Sequence, residues 1–217
     1  MSQPRCHRVM MPRTRDDSLR WAAEGTTQFI EAIRALDRLG HDAPSLLPRW
    51  RRRHVVAHVA ANADALINLV RWAKTGQVTP MYASLQERDA GIERGTSMSL
   101  THLRTWVQNS AEALGAAWDG LDERQWSTDV VTAQGRTVPA SEIPWLRARE
   151  VCVHLVDLDV GYGFADLPED FLQALRADVV NKRGDVPDIV APLPEQLAWL
   201  TGRPHDQADA PELSPWL

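Results

Sequence analysis

Apolar residues recur at three- and four-residue spacing along four long stretches of this chain, the pattern of helices that each bury one stripe. The first stretch runs from about Ser18 to Leu39 and sets Ala22, Phe29, Ile30, Ile33 and Leu36 on one face, before Gly40, Pro44 and Pro48 end it. The second runs from about Arg52 to Lys74 and stops at Thr75-Gly76, a reasonable C-cap. The third opens at Ser99, a suitable N-cap, and carries Leu100, Leu103, Val107, Leu114, Ala117 and Leu121. The fourth opens at Ser141 with Pro144 in its first turn, where proline is favoured, continues to about Val160 and is closed by Gly161 and Gly163.

The connections are uneven. Val130-Val131-Thr132 and Arg136-Thr137-Val138, joined through Gln134-Gly135, suit a small β-hairpin. The link from Gly76 to Met98 is long, carries Pro80, Met81, Tyr82 and Arg88, and reads as a functional loop. From Asp166 onward the texture changes to seven of the chain's fourteen prolines, with short helices expected over Phe171–Asn181 and Glu195–Leu200 and a loose tail. The expected organisation is a disordered leader over 1–17, a mainly α, metal-hosting four-helix bundle over 18–165 and a small C-terminal appendage over 166–217.

Composition narrows the function. No apolar run approaches the ~20 residues that span a bilayer, so no membrane partner is expected. Five arginines and no apolar core in the first twenty residues argue against a secretory signal. Two cysteines, Cys6 and Cys152, suit a reducing cytoplasm rather than a disulfide scaffold. A net charge of −5 argues against nucleic acid as a partner. Arg49, Arg51, Arg52 and Arg53 form a local exception, read as a solvated face, with an anion-attracting patch as the alternative.

Candidate chemistry rests on where the histidines fall. Glu150 and His154 are four residues apart and project from one face of the fourth helix, beside Leu146 and Val153. His58 sits among Val55, Val59, Asn62 and Leu66, on a face that should point inward. Two histidines and a glutamate from facing helices would supply three ligands to a zinc-type ion and leave a fourth position open. An inward histidine can equally be a hydrogen-bonded core residue, and Glu150–His154 an ordinary helical ion pair. His54, one turn earlier at the helix entrance, is a weaker candidate ligand. Cys152 is about 200° around the helix from Glu150, so it reads as a packing residue.

These residues also carry a family likeness. The stretch Arg53–Leu66, the loop Met81-Tyr82-Ala83-Ser84 with Arg88 and Ile92-Glu93, and the stretch Trp145–Leu158 resemble the mycothiol-dependent maleylpyruvate isomerase family, in the DinB-like group of metal-binding four-helix bundles. Asp166–Phe171 and Leu197–Arg203 echo that family's C-terminal region. The resemblance implies zinc or another divalent metal on His58, Glu150 and His154, with mycothiol as thiol cofactor. It implies an unsaturated keto-diacid substrate, maleylpyruvate, isomerised to fumarylpyruvate in aromatic degradation by a monomer or homodimer. Arg88 matches an arginine associated with activity and cofactor binding, and Arg203 a second catalytic one. Asn62, Asp64 or Asp157 would orient the ligand imidazoles. A mycothiol S-transferase acting on electrophiles and a non-catalytic metal-binding module are the alternatives. The segment from Asn181 to Glu195 looks shorter than the family's, so part of the substrate wall would differ.

Overall fold

The computed structural model describes residues 13–214 and 216, and all element statements refer to these. The fold is mainly α. Four long helices, α1 (Arg15–Ala35), α3 (Arg52–Thr75), α5 (Leu100–Asp119) and α7 (Ile143–Asp157), form the bundle. Between them come α2 (Arg38–Asp42), α4 (Leu85–Thr96), α6 (Glu123–Trp126) and the hairpin of β1 (Asp129–Val131) and β2 (Thr137–Pro139). Two further helices, α8 (Glu169–Arg183) and α9 (Leu193–Leu200), follow.

Local chemistry sets the helix ends. Thr14 caps α1 in a reciprocal capping box with Asp17, and Asp16 and Asp17 complement the helix dipole in the first turn. The helix therefore begins at Arg15 rather than Ser18, so 15–17 of the expected disordered leader are helical. Residues 1–12 of that leader, with Cys6, lie outside the described residues. Leu36 takes an extended conformation and ends α1 early, so Leu39 lies on the separate α2. Gly76 closes α3 at φ 73°, a left-handed conformation that glycine adopts without a Cβ penalty. Ser99 caps α5 through the backbone N–H of His102. The expected hairpin pairs in register Val130↔Val138.

The buried stripes meet in one main cluster that includes Trp21, Phe29 and Ile33 of α1, Val55 and Val59 of α3 and Val151 and Leu155 of α7. Gly25 permits the close approach of α1 to α7: a Cβ there would come within 2.6 Å of Cys152 Sγ. The C-terminal region joins the same cluster through Phe171, Leu172, Leu175 and Trp199. Phe171 stacks edge-on against Trp21 at 5.8 Å. The tail is not loose: Trp199 Nε1 donates to the Pro211 carbonyl at 2.8 Å and Arg183 to that of Ser214 at 2.9 Å.

Two expectations for the connections change. The link from Gly76 to Met98 is not a plain loop, because Ser84 caps α4 and Gly95 lets it lie on Ala57 of α3. The arginine run is only partly the solvated face expected: Arg49 and Arg51 are exposed, whereas Arg52 and Arg53 are half-buried and engaged internally. Arg51 donates to the Asp42 carbonyl, Arg52 to the Leu158, Gly40 and Asp159 carbonyls, and Arg53 pairs with Asp42. No described helix is long and apolar enough to cross a membrane.

Candidate metal centre

The α3–α7 contact brings His58, Glu150 and His154 together, with one donor atom from each within 4.8 Å of the others. His58 Nε2 lies 2.9 Å and His154 Nε2 3.4 Å from the same carboxylate oxygen, Glu150 Oε2. The two imidazoles meet nearly perpendicular, with centroids 4.8 Å apart. Helical geometry explains the α7 half, since residues four apart share a face. The α3 half depends on the helix crossing that sets Val59 and Ala148 in one core.

His154 is oriented from behind. Its Nδ1 lies 2.8 Å from Asp157 Oδ2. Arg203 in turn grips Asp157 with two parallel bonds, Nε to Oδ1 at 2.9 Å and Nη2 to Oδ2 at 2.7 Å, and its Nη1 donates to the Thr201 carbonyl. Asp157 is 0% exposed. Of the three residues expected to orient an imidazole, only Asp157 does so: Asn62 accepts from Arg147, and Asp64 accepts from Trp106 Nε1 at 2.8 Å. His58 has no comparable support. Its Nδ1 is buried without a partner among the described residues, and the Trp50 ring stands edge-on at 5.6 Å.

These surroundings divide the ionisations. Burial opposes a charged Glu150, but hydrogen bonds from His154 and His58 outweigh it and hold the carboxyl well below its usual range. Burial also opposes charge on His154, yet Asp157 and Glu150 together push it up to about 9. For His58 burial prevails over Glu150, and its value falls. Burial would charge Asp157 less readily, but His154 and Arg203 keep it ionised.

Arg88 stands four residues after the α4 cap, Ser84, and its charge is felt at both His58 and Tyr82. Its Nη1 donates to Asp89 at 2.8 Å. Burial, reinforced by the Glu150 charge, pushes the Tyr82 phenol up to about 12, with Arg88 opposing. His54 stays outside the trio: its Nδ1 accepts from the Arg51 backbone N–H at 3.1 Å, capping α3. Cys152 faces α1, away from the centre, and burial pushes its thiol well up. The Asp157–Arg203 pairing had a sequence signal only in its first half, an aspartate one turn beyond His154. Trp50 had none beyond an aromatic beside the arginine run.

The profile of the family described as "Mycothiol maleylpyruvate isomerase N-terminal domain" matches residues 21–159. Among solved structures, the crystal structure of the mycothiol-dependent maleylpyruvate isomerase is similar at a TM-score of 0.86 and 33% identity, over 94% of this chain and 98% of that one. The structure of a histidine-to-alanine mutant of the mycothiol-dependent maleylpyruvate isomerase is similar at 0.86 and 32%, with the same coverage. A curated relative, a cobyric acid synthase of Variovorax paradoxus, is 37% identical over 125 residues, 44% of this chain and 26% of that protein. This chain thus spans about a quarter of the length of the curated relative it matches.

Proposed function

Because this chain belongs to the mycothiol maleylpyruvate isomerase family, we propose that it is a metal- and mycothiol-dependent cis–trans isomerase converting maleylpyruvate to fumarylpyruvate. The observation that carries this reading is the convergence of two imidazole Nε2 atoms on one half-buried carboxylate oxygen. A divalent cation, zinc first among them, suits the set: imidazole nitrogens and a carboxylate are its usual donors, and three protein ligands leave one position open. Without a cation, one half-buried carboxylate would be balanced by two histidines, and burial resists charging His58.

Bound together, metal and mycothiol would supply a thiolate, whose reversible addition to the cis alkene makes the double bond single and allows rotation. The protein's own residues then have three tasks. Asp157 keeps His154 Nδ1 protonated and Nε2 turned to the focus, and Arg203 keeps Asp157 in place. Arg88, on the first turn of α4, holds a substrate carboxylate or the developing enolate oxygen, a task suited to a guanidinium fork. Tyr82 stays protonated at neutral pH and can donate its hydroxyl to a second substrate oxygen. With its guanidinium closed on Asp157 and Thr201, Arg203 is a positioning residue here rather than a substrate contact. A cytoplasmic setting belongs to the proposal, since thiols are kept reduced there.

That engagement of Arg203 favours one second reading, a mycothiol S-transferase, whose electrophile needs no second carboxylate clamp. Loss of maleylpyruvate absorbance with zinc-loaded protein decides between them. Turnover should require both metal and mycothiol, and Arg88→Ala should lower it about 100-fold or more while metal is retained. Consumption of thiol by an electrophile panel without isomerisation would support the transferase. No thiol-dependent reaction of either kind, with metal firmly bound, would leave a metal-binding module.

A further inference from the structure

Every nitrogen of the buried Arg203 guanidinium is engaged. Nε and Nη2 hold Asp157, and Nη1 holds the Thr201 carbonyl. Only the faces of the plane are left for a neighbour, and an aromatic ring suits a cationic face. Trp216 supplies that ring. The guanidinium carbon of Arg203 lies over it, 5.7 Å from the centroid, and that of Arg149 lies 5.8 Å away. Arg149 donates to Asp178 at 2.9 Å, so the ring meets two guanidiniums that each have a carboxylate of their own.

The C-terminal region brings the ring to this place. Arg183 of α8 donates through Nε to the Leu200 carbonyl and through Nη2 to the Ser214 carbonyl, both at 2.9 Å. One side chain thus ties the stretch just before Arg203 to the stretch just before Trp216. Trp199 Nε1 makes a second tie, to the Pro211 carbonyl at 2.8 Å, and Leu213 and Trp216 pack against the main core. The pair under the ring is the one that orients His154, and such a pair is stronger where water is kept from it.

We propose that Trp216 is a positioning residue of the metal centre. Its ring holds the Arg203 guanidinium and keeps water from the Arg203–Asp157 pair, and it acts on the metal through His154. This rests on the three-ligand centre proposed above and extends that centre to the C-terminal region.

Chelator competition for zinc on the full chain, at about 0.05 M and 0.5 M salt, tests it. Trp216→Ala should keep its helical circular dichroism and lower zinc affinity about tenfold at low salt, the lower end of what an outer partner costs. High salt should weaken that variant about threefold further than wild type, because a wetted ion pair is screened. Trp216→Phe, which keeps a ring over the guanidinium, should stay within about twofold of wild type. In an Arg203→Met background Trp216→Ala should add no further loss, since the ring acts through that guanidinium. Arg183→Met cuts the tie at Ser214 and leaves the ring intact, so it should lower zinc affinity by a smaller factor. If Trp216→Ala does not fold, Arg183→Met decides, and native zinc affinity there overturns the proposal. Unchanged zinc affinity in Trp216→Ala, with a lowered urea midpoint, would make the ring ordinary core packing and overturn it. Additive losses with Arg203→Met, or a Trp216→Phe loss as large as that of Trp216→Ala, would do the same. A wild type that holds no zinc would overturn the three-ligand centre itself, and this inference with it.

Discussion

His58 and His154 approach the same carboxylate oxygen from opposite helices, yet the two sides of the centre are held in different ways. On the α7 side a relay runs from His154 through Asp157 to Arg203, every link a hydrogen bond of 2.9 Å or less. On the α3 side His58 is fixed by packing, with Trp50 at its edge and no partner at Nδ1 among the described residues. One residue type thus gains a raised value on one side and a lowered one on the other. The environment, not the imidazole, decides which histidine carries a proton before any cation arrives.

Removing what both sides share is expected to have the largest effect. Glu150→Ala should abolish metal retention by elemental analysis, a greater loss than the ~100-fold that an outer partner costs. Full metal occupancy in that variant would sink the three-ligand centre.

The next effect breaks the relay. Asp157→Asn should weaken metal affinity roughly 10- to 100-fold in a competition titration with a chelator. It also strands Arg203, so its urea unfolding free energy should fall by about 3 kcal/mol. A variant with native affinity and stability would mean that the α7 side is held by packing, as the α3 side is.

The pH dependence of the metal-free protein sharpens the same contrast. His154 is raised to about 9 from 6.5, so its contribution to stability is complete below about 6.5 and is lost as pH climbs towards 9. His58 is shifted the other way, so charging it costs stability as pH drops below 6.5. The melting temperature should therefore peak near 6.5 and fall by about 5 °C toward pH 9. Zinc should flatten the alkaline limb. A melting temperature that rises steadily to pH 9 would show that the relay does not raise His154.

The smallest effect is expected from the third histidine. His54 caps α3 through the Arg51 backbone N–H. His54→Ala should cost about 1 kcal/mol, as a lost cap does, and leave metal content unchanged. A drop in metal content would make His54 part of the centre.

Periodicity and caps made much of the fold legible. The stripe of Phe29 and Ile33, the cap at Ser99, Pro144 in the first turn of its helix and the Gly76 stop all act within one or two turns, so the chain displays them directly. The helix α4 was missed because its face is largely polar, with Ile92 and Gly95 as its buried residues. Within the arginine run Arg49 and Arg51 are exposed as expected, but Arg52 departs from it because its partners are carbonyls of other loops, Gly40 and Leu158, which no local pattern announces. Within the centre, the Glu150–His154 face follows from helical geometry, and Asp157 was one of three equal candidates. Choosing it over Asn62 and Asp64 required knowing where Arg147 and Trp106 lie.

The amino-acid order by itself determined the four amphipathic helices, the stop at Gly76 and the start at Ser99, and which polar residues sit on inward faces, because those properties depend on neighbours a few positions away. The ends of α1 and the end of α7 at Asp157 did not follow from it. Only the tertiary structure decided that His58 shares its focus with Glu150 and that Arg203 is tied to Asp157 46 residues away. Those outcomes depend on helix crossings and chain closure, where distance in space is independent of distance along the chain.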